Sequence, residues 1–393
     1  MQKEKLVPAI RFKGFDEEWK VNRLSSYLNV VVKRNEQLRY SQNEVLSVSK
    51  DSGVINQIKY LGRSYAGSDL RNYKILELSH IVYTKSPLNE TPFGIIKTNN
   101  YEQGIVSTLY ATYEPSSACH SNFVEHYFSK YDRLNNYLYS LVNKGAKNTL
   151  LISDETALGG YVVYPSFDEQ KKISDLLDNL ALLIHSQELK LEKLQTIKQS
   201  LLIKMFALYE QKMPDIRFKD FLDAWNHKLV KSLGCITTGN SNTQDSDVNG
   251  AYPFFIRSDK PLKSNKYLYD EEAVITIGDG NIGKVFHYIN GKFDLHQRCY
   301  KISNFTDVLG KYFYWYFSSN FYDRVIRMSA KATVDSVRLE MIADMEIYFP
   351  SNKNEQSKIS IFLDRIDSLI HSQEQKLEKL NNIKQALLEK MFC

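Results

Sequence analysis

The 393-residue chain holds only four cysteines, Cys119, Cys235, Cys299 and Cys393, and no two stand in C-x-x-C spacing. Thiols scattered in this way offer neither a disulfide framework nor a zinc knuckle, and they read as reduced bystanders. Nine prolines occur and none adjoins another, which excludes the Pro-Pro-aromatic motif of amino-methyltransferases. No uncharged apolar run approaches the roughly 18 residues of a membrane span, and the opening MQKEKLVPAIRFKGF is charged throughout, without the apolar stretch of a secretory signal. A cytoplasmic location without membrane contact is the expectation. Catalytic signatures are missing as well: no G-x-G-x-x-G loop follows a strand, no H-E-x-x-H occurs, and no nucleophile, base and acid can be put in order. The chain is expected to carry no catalytic site and no metal of its own.

Charge of one sign is also scarce. The net charge is +5, with Lys+Arg against Asp+Glu at 20 to 16 in residues 1–166, 6 to 6 in 167–206, 18 to 18 in 207–352 and 7 to 6 in 353–393. The first globular stretch is mildly basic and the second neutral, so charge alone does not announce a nucleic-acid partner. Hydrophobic residues make up 43% of the chain, enough for two cores of ordinary size.

What the chain does have is a duplication. Leu183 to Phe206 reads LIHSQELKLEKLQTIKQSLLIKMF and Leu369 to Phe392 reads LIHSQEQKLEKLNNIKQALLEKMF, identical at 19 of 24 positions. Upstream, Pro8, Ile10, Arg11, Phe12, Lys13 and Trp19 return as Pro214, Ile216, Arg217, Phe218, Lys219 and Trp225. The second offset is 206 residues and the first 186, so the stretch between the landmarks has changed length, and it has lost its likeness. Similar ends around dissimilar middles imply a kept framework and two parts that recognise different things.

From Asp168 to Phe206 apolar residues recur in steps of three and four, among them Leu180, Leu183, Leu191, Leu194 and Leu201, with no Pro or Gly to interrupt them. The copy from Glu355 to Phe392 keeps the register with Ile366, Leu369, Leu377, Leu380 and Leu387. Two matching stripes predict two long helices that cover each other as a coiled coil, antiparallel if the repeats are related by a two-fold. His185 and His371 occupy equivalent places and read as a polar layer fixing helix register in preference to a metal or catalytic pair. Glu188-x-Lys190 and Glu374-x-Lys376 mimic the end of a nuclease motif but lack its upstream Pro-Asp partner and read as solvated surface.

The middles read as mixed short strands and loops. Strands are expected at VLSVSK and SHIVYTK in the first, and at AVITIG, KVFHYI and MEIYFP in the second, with helices at His120 to Val142 and Thr306 to Ala330. Gly278-Asp-Gly-Asn-Ile-Gly283-Lys284-Val285 matches the start of a phosphate loop, yet Val285 stands where Ser or Thr must hold magnesium and a strand pattern follows. A glycine-rich turn letting backbone approach a flat partner is the better reading.

The order of variable half, long helix, second variable half and matching helix resembles the specificity subunit of type I restriction–modification systems over the whole chain. The most specific parts are the duplicated helices, the F-x-x-x-W boxes at Phe15 to Trp19 and Phe221 to Trp225, and the helix starts in which Pro165 leads to Glu169-Gln170 and Pro350 to Glu355-Gln356. The resemblance implies an α+β fold in which two mixed α/β globular target recognition domains are joined by two long helices packed as an antiparallel coiled coil with pseudo-two-fold internal repeat. The domains would be residues 1–165 and 213–350, and the helical parts 166–212 and 351–393. It further implies double-stranded DNA as ligand, each domain reading one half of a split site. The helices would serve as a ruler and as docking surfaces for two methyltransferase subunits, through the stripe residues named above with His185 and His371, and restriction or motor subunits would join them. S-adenosylmethionine, ATP and Mg belong, on this reading, to those partner subunits. Candidate DNA contacts by residue chemistry are Arg63, Lys85 and Lys97 in the first domain, and Arg257, Lys260, Lys263, Lys284 and Arg298 in the second. The rival reading is a non-catalytic coiled-coil adaptor that binds two proteins through its divergent halves.

Overall fold

The computed structural model describes residues 6–87, 90–144, 150–207, 211, 213–329 and 336–393. The chain divides into two compact units, Met1–Gln187 with Lys376–Cys393, and Glu188–Gln375. Both long helices form where the uninterrupted apolar periodicity places them, Phe167–Lys204 and Lys353–Lys390, each of 38 residues. At 1.5 Å per residue each is about 57 Å long.

In the first unit, strand Lys20–Arg23 pairs antiparallel with Tyr161–Tyr164, the strand that runs into the first long helix. Between them lies a four-stranded antiparallel sheet in the order Leu28–Val30, Ala111–Pro115, Ile81–Tyr83 and Ile96–Thr98. Helices Ser121–Phe128 and Tyr131–Tyr139 turn Phe123, Val124, Tyr127, Phe128, Leu134 and Leu138 onto this core, the three-and-four spacing of one helical face. Ile173 and Leu177 of the first long helix join the same core, and so do Leu388, Met391 and Phe392 from the end of the second. Trp19 meets Phe392 edge-on at 6.4 Å, and the Phe392 ring lies 5.4 Å from Phe123. The C-terminal residues thus complete the core of the N-terminal unit.

The second unit repeats the frame around a different filling. Strand Asn226–Leu229 pairs with Glu346–Phe349, which leads to the second long helix. The sheet between them has six strands in the order Cys235–Thr238, Cys299–Ser303, Tyr269–Ile277, Phe286–Leu295, Tyr252–Phe255 and Leu262–Ser264, with one parallel pairing, Phe254 opposite Asp294. Helix Gly310–Ser329 covers it, stacking Phe313 on Phe317 at 5.3 Å and Phe317 on Phe321 at 4.5 Å, one turn apart each time. Ala330, the last residue expected in this helix, lies outside the described residues. Met205 and Phe206, from the end of the first long helix, enter this core beside Trp225, Ile359 and Leu363.

Equivalent hydrogen bonds fasten each frame. Arg11 grips Glu169 from Nε and Nη2 at 2.7 and 2.8 Å, and Arg217 grips Glu355 in the same way at 2.6 and 2.8 Å. Gln170 donates to the Pro165 carbonyl and accepts from the His120 backbone N–H, as Gln356 does with Pro350 and Leu309. The Ile10 N–H bonds the Lys390 carbonyl at 2.9 Å, and the Ile216 N–H bonds that of Lys204 at 2.8 Å, so each opening segment caps a helix C-terminus. Within the second unit Lys198 bonds Asp367 while Met205 shares a core with Ile359 and Leu363. As one helix advances the other recedes, the antiparallel arrangement expected of the duplicated stripes.

The two histidines correct the sequence reading. Both are exposed, and the nearest buried polar positions on these helices are Gln187 and Gln373, at 9% and 6% exposure, two residues further on in each copy. The imidazoles therefore form no buried layer; their position on the helix surface turns them to solvent.

Candidate nucleic-acid interface

In the second unit the ends of several strands gather one set of loops. Arg257 follows strand Tyr252–Phe255, Asp279 stands in the turn between Tyr269–Ile277 and Phe286–Leu295, and Arg298 sits in the turn before Cys299–Ser303. Arg298 donates from Nη1 to Asp279 Oδ2 at 2.6 Å, and Arg257 Nη1 lies 3.2 Å from both carboxylate oxygens. Burial alone would raise the Asp279 carboxyl, but hydrogen bonds from Arg298 and then Arg257 outweigh it and hold the group below the usual carboxylate range. The turn is rigid because its backbone is tied down: the Gly278 N–H bonds the Arg298 carbonyl at 2.7 Å, the Val337 N–H bonds that of Gly278 at 2.6 Å, and the Arg298 N–H bonds His296 Nδ1 at 3.0 Å. A side chain at Gly278 would meet the Arg298 carbonyl oxygen at 2.7 Å, which explains glycine there. Strand Phe286–Leu295 follows this loop directly, so the helix needed for phosphate-loop chemistry is not present.

The other three candidates of this unit lie on neighbouring segments. Lys260 and Lys263 are exposed, the latter on strand Leu262–Ser264, and Lys284 stacks over the Tyr322 ring at 4.9 Å. Gln297, beside Arg298, donates to Asn242 Oδ1 and brings a further polar pair to the same loops. Asp279 and Gln297 escaped the reading by residue chemistry, although Asp279 lies inside the glycine-rich segment that was singled out.

In the first unit Arg63 is exposed and stacks over Tyr65 at 4.7 Å, next to the short helix Gln57–Leu61, on which Tyr60 is exposed as well. Lys85 and Lys97 are only half-exposed and already engaged, Lys85 with Asp154, which also holds Lys74, and Lys97 with Glu125 at 3.1 Å. The structure therefore brings Arg257 and Arg298 into one cluster, whereas Arg63 sits on a different segment from Lys85 and Lys97.

Of the stripe residues, Ile366 is buried, and Leu180, Leu191, Leu194, Leu201, Leu377, Leu380 and Leu387 are half-buried. Leu183 and Leu369 remain exposed at 42% and 56%, as do Ile197 and Ile383 at 40% and 50%. These are equivalent positions of the two copies, so the duplication repeats the same exposed apolar side chains on each helix. No described helix is long and apolar enough to cross a membrane.

The sequence profile of the family described as type I restriction modification DNA specificity domain matches residues 223–382. The specificity subunit of the Escherichia coli type I restriction enzyme EcoDI is 27% identical over 159 residues, 40% of this chain and 35% of that protein, so the match spans about a third of the relative's length. In fold, the chain is similar to the crystal structure of a type I restriction–modification system S subunit from M. genitalium, with a TM-score of 0.66 at 10% identity, covering 98% of this chain and 99% of that one. A second structure, described as the basis of complex assembly and conformational transition of the type I restriction–modification system, is similar with a TM-score of 0.50 at 14% identity, over 97% and 99% of the two chains. The profile and the curated relative thus match part of the chain, residues 223–382 in the case of the profile, while over its whole length the chain is similar in fold to a type I restriction–modification S subunit.

Proposed function

We propose that this chain is the non-catalytic DNA-reading subunit of a type I restriction–modification complex, in which residues 1–165 and 213–350 each read one half of a bipartite duplex site. The observation that carries the reading is the repeated frame around unlike sheets: the same Arg–Glu clasp, glutamine cap and terminal phenylalanine enclose a four-stranded antiparallel sheet with three further two-stranded pairs in one unit and a six-stranded mixed sheet in the other. A constant holder with a changed filling suits two recognition tasks of one kind. Phosphate contacts would position each domain while a few side chains discriminate base edges. The exposed Arg63, Arg257, Lys260, Lys263, Lys284 and Arg298 are the proposed contacts, with Lys85 and Lys97 contributing through their ion pairs.

The helical parts, 166–212 and 351–393, are proposed to set the unread spacer and to dock two methyltransferase subunits, restriction or motor subunits joining them. S-adenosylmethionine, ATP and Mg would then be bound by those partners. The apolar line at Leu183, Ile197, Leu369 and Ile383 supports docking, because exposed leucines and isoleucines at equivalent positions of both helices offer two like surfaces. The test is duplex binding by the assembled complex across a salt series. A steep fall in affinity with salt is expected of a reader that contacts many phosphates, and an absence of duplex binding would leave the adaptor reading in its place.

A further inference from the structure

Among the described residues the two most buried arginine–carboxylate pairs are spent on structure. Arg11 and Arg217 use two nitrogens each on a glutamate whose side chain is 1% exposed, and they themselves are 12% exposed. Arg257 and Arg298 differ: their side chains are 47% and 62% exposed, both lean on the one carboxylate of Asp279, itself 15% exposed, and each does so through Nη1 alone. Among the described residues the Nε and Nη2 edges of both guanidinium groups make no hydrogen bond. Ion pairs this exposed contribute little to stability, so holding the fold together is a poor account of them.

We propose that Asp279 is a positioning residue that presents Arg257 and Arg298 as a fixed pair of guanine readers, so that the half-site read by residues 213–350 contains guanine at two positions. This deepens the function proposed above and rests on it. The chemistry is that of a planar fork: an arginine held by one corner keeps two parallel N–H donors on the opposite edge, which match the O6 and N7 acceptors that guanine shows in the major groove. Phosphate also takes an arginine fork, but it accepts from many directions and gains less from such bracing than a guanine edge, whose two acceptors fix the plane of the fork. The braced backbone of Gly278, Arg298 and Val337 supplies that fixity. Asp279 also cancels one of the two positive charges, which favours orientation over general attraction.

The test uses the complete complex assembled with the full-length chain, selected on a randomised duplex library and sequenced, for wild type, Arg257→Lys, Arg298→Lys, Asp279→Asn and Asp279→Glu. Each lysine variant keeps its charge but loses the fork, and is expected to lose about ten- to hundredfold preference for guanine at one position of one half-site. Asp279→Asn should weaken the preference at both positions, and Asp279→Glu should restore part of it. An unchanged consensus with affinity lowered evenly over all sequences, or a lost preference for a base other than guanine, overturns the proposal. A wild-type complex that selects no consensus overturns instead the DNA-reading function on which the proposal stands. Thermal melting of each variant separates these results from misfolding, and the charge-preserving lysine variants stand as the test should Asp279→Asn fail to fold.

Discussion

Phe392, the penultimate residue of the chain, lies 6.1 Å from Tyr127 and edge-on to Trp19, deep in a core whose other members come from the first 177 residues and the last helix. Its counterpart Phe206 stands 5.7 Å from Tyr312 and 5.3 Å from Tyr316 in the other unit. Truncating such a side chain removes its transfer free energy and leaves a cavity, together about 3–5 kcal/mol. Phe392→Ala is expected to raise amide exchange in helix Ser121–Phe128 while leaving helix Gly310–Ser329 protected, and Phe206→Ala to do the reverse. Hydrogen exchange resolved by peptide measures both.

The Arg–Glu clasp of each frame is a buried, two-point ion pair, and removing one partner strands a charge out of water. Glu355→Gln is expected to destabilise the second unit by about 3 kcal/mol or more, read as a lowered melting transition. Replacing Arg217 and Glu355 together by apolar residues of similar size should recover much of that loss, since no charge is then left unpaired.

Asp154 yields a pH dependence. Burial raises its carboxyl, but hydrogen bonds from Lys74 and Lys85 outweigh that and bring it below its ordinary value of 3.8. A carboxyl with a depressed folded pKa stabilises above the unfolded value and loses that contribution as pH falls through the folded one. The wild-type first unit should therefore lose this stabilisation only below about pH 4. Asp154→Asn should cost about 1–3 kcal/mol at pH 7, and its deficit relative to wild type should shrink as acid is added. Denaturant titrations from pH 7 to pH 3 measure the difference.

Leu183→Glu with Leu369→Glu places charge on the apolar line of both helices. Stability should change by no more than about 0.5 kcal/mol, since both positions are exposed. Capture of methyltransferase subunits should weaken by roughly tenfold or more if this line is an anchor. Normal capture at equal melting temperature would remove the docking role from these residues.

The long helices were legible because 38 residues of three-and-four spacing with no breaker admit little else. The short strands at Leu46–Ser49, Ile81–Tyr83 and Glu346–Phe349 were legible from β-branched and aromatic runs. The closure of the first unit by Phe392 was not, because a residue at the end of a stripe carries no sign of which core it enters. Lys85 and Lys97 looked like free cations for a similar reason: their partners Asp154 and Glu125 lie 69 and 28 residues away, beyond any local pattern. Asp279 was hidden by its own neighbours, since a glycine-rich segment is read for its backbone and not for the acid inside it. The histidines misled because equivalence in two copies fixes a position on the helix but not which face the chain covers.

The central claim is that one holder carries two independent readers. Methylated positions sequenced from cells carrying the complete complex, with residues 213–350 exchanged for those of another family member, test it directly. The account predicts that one half-site is replaced while the other half-site and the spacer length stay as they were; a change in both half-sites, or in neither, would contradict it.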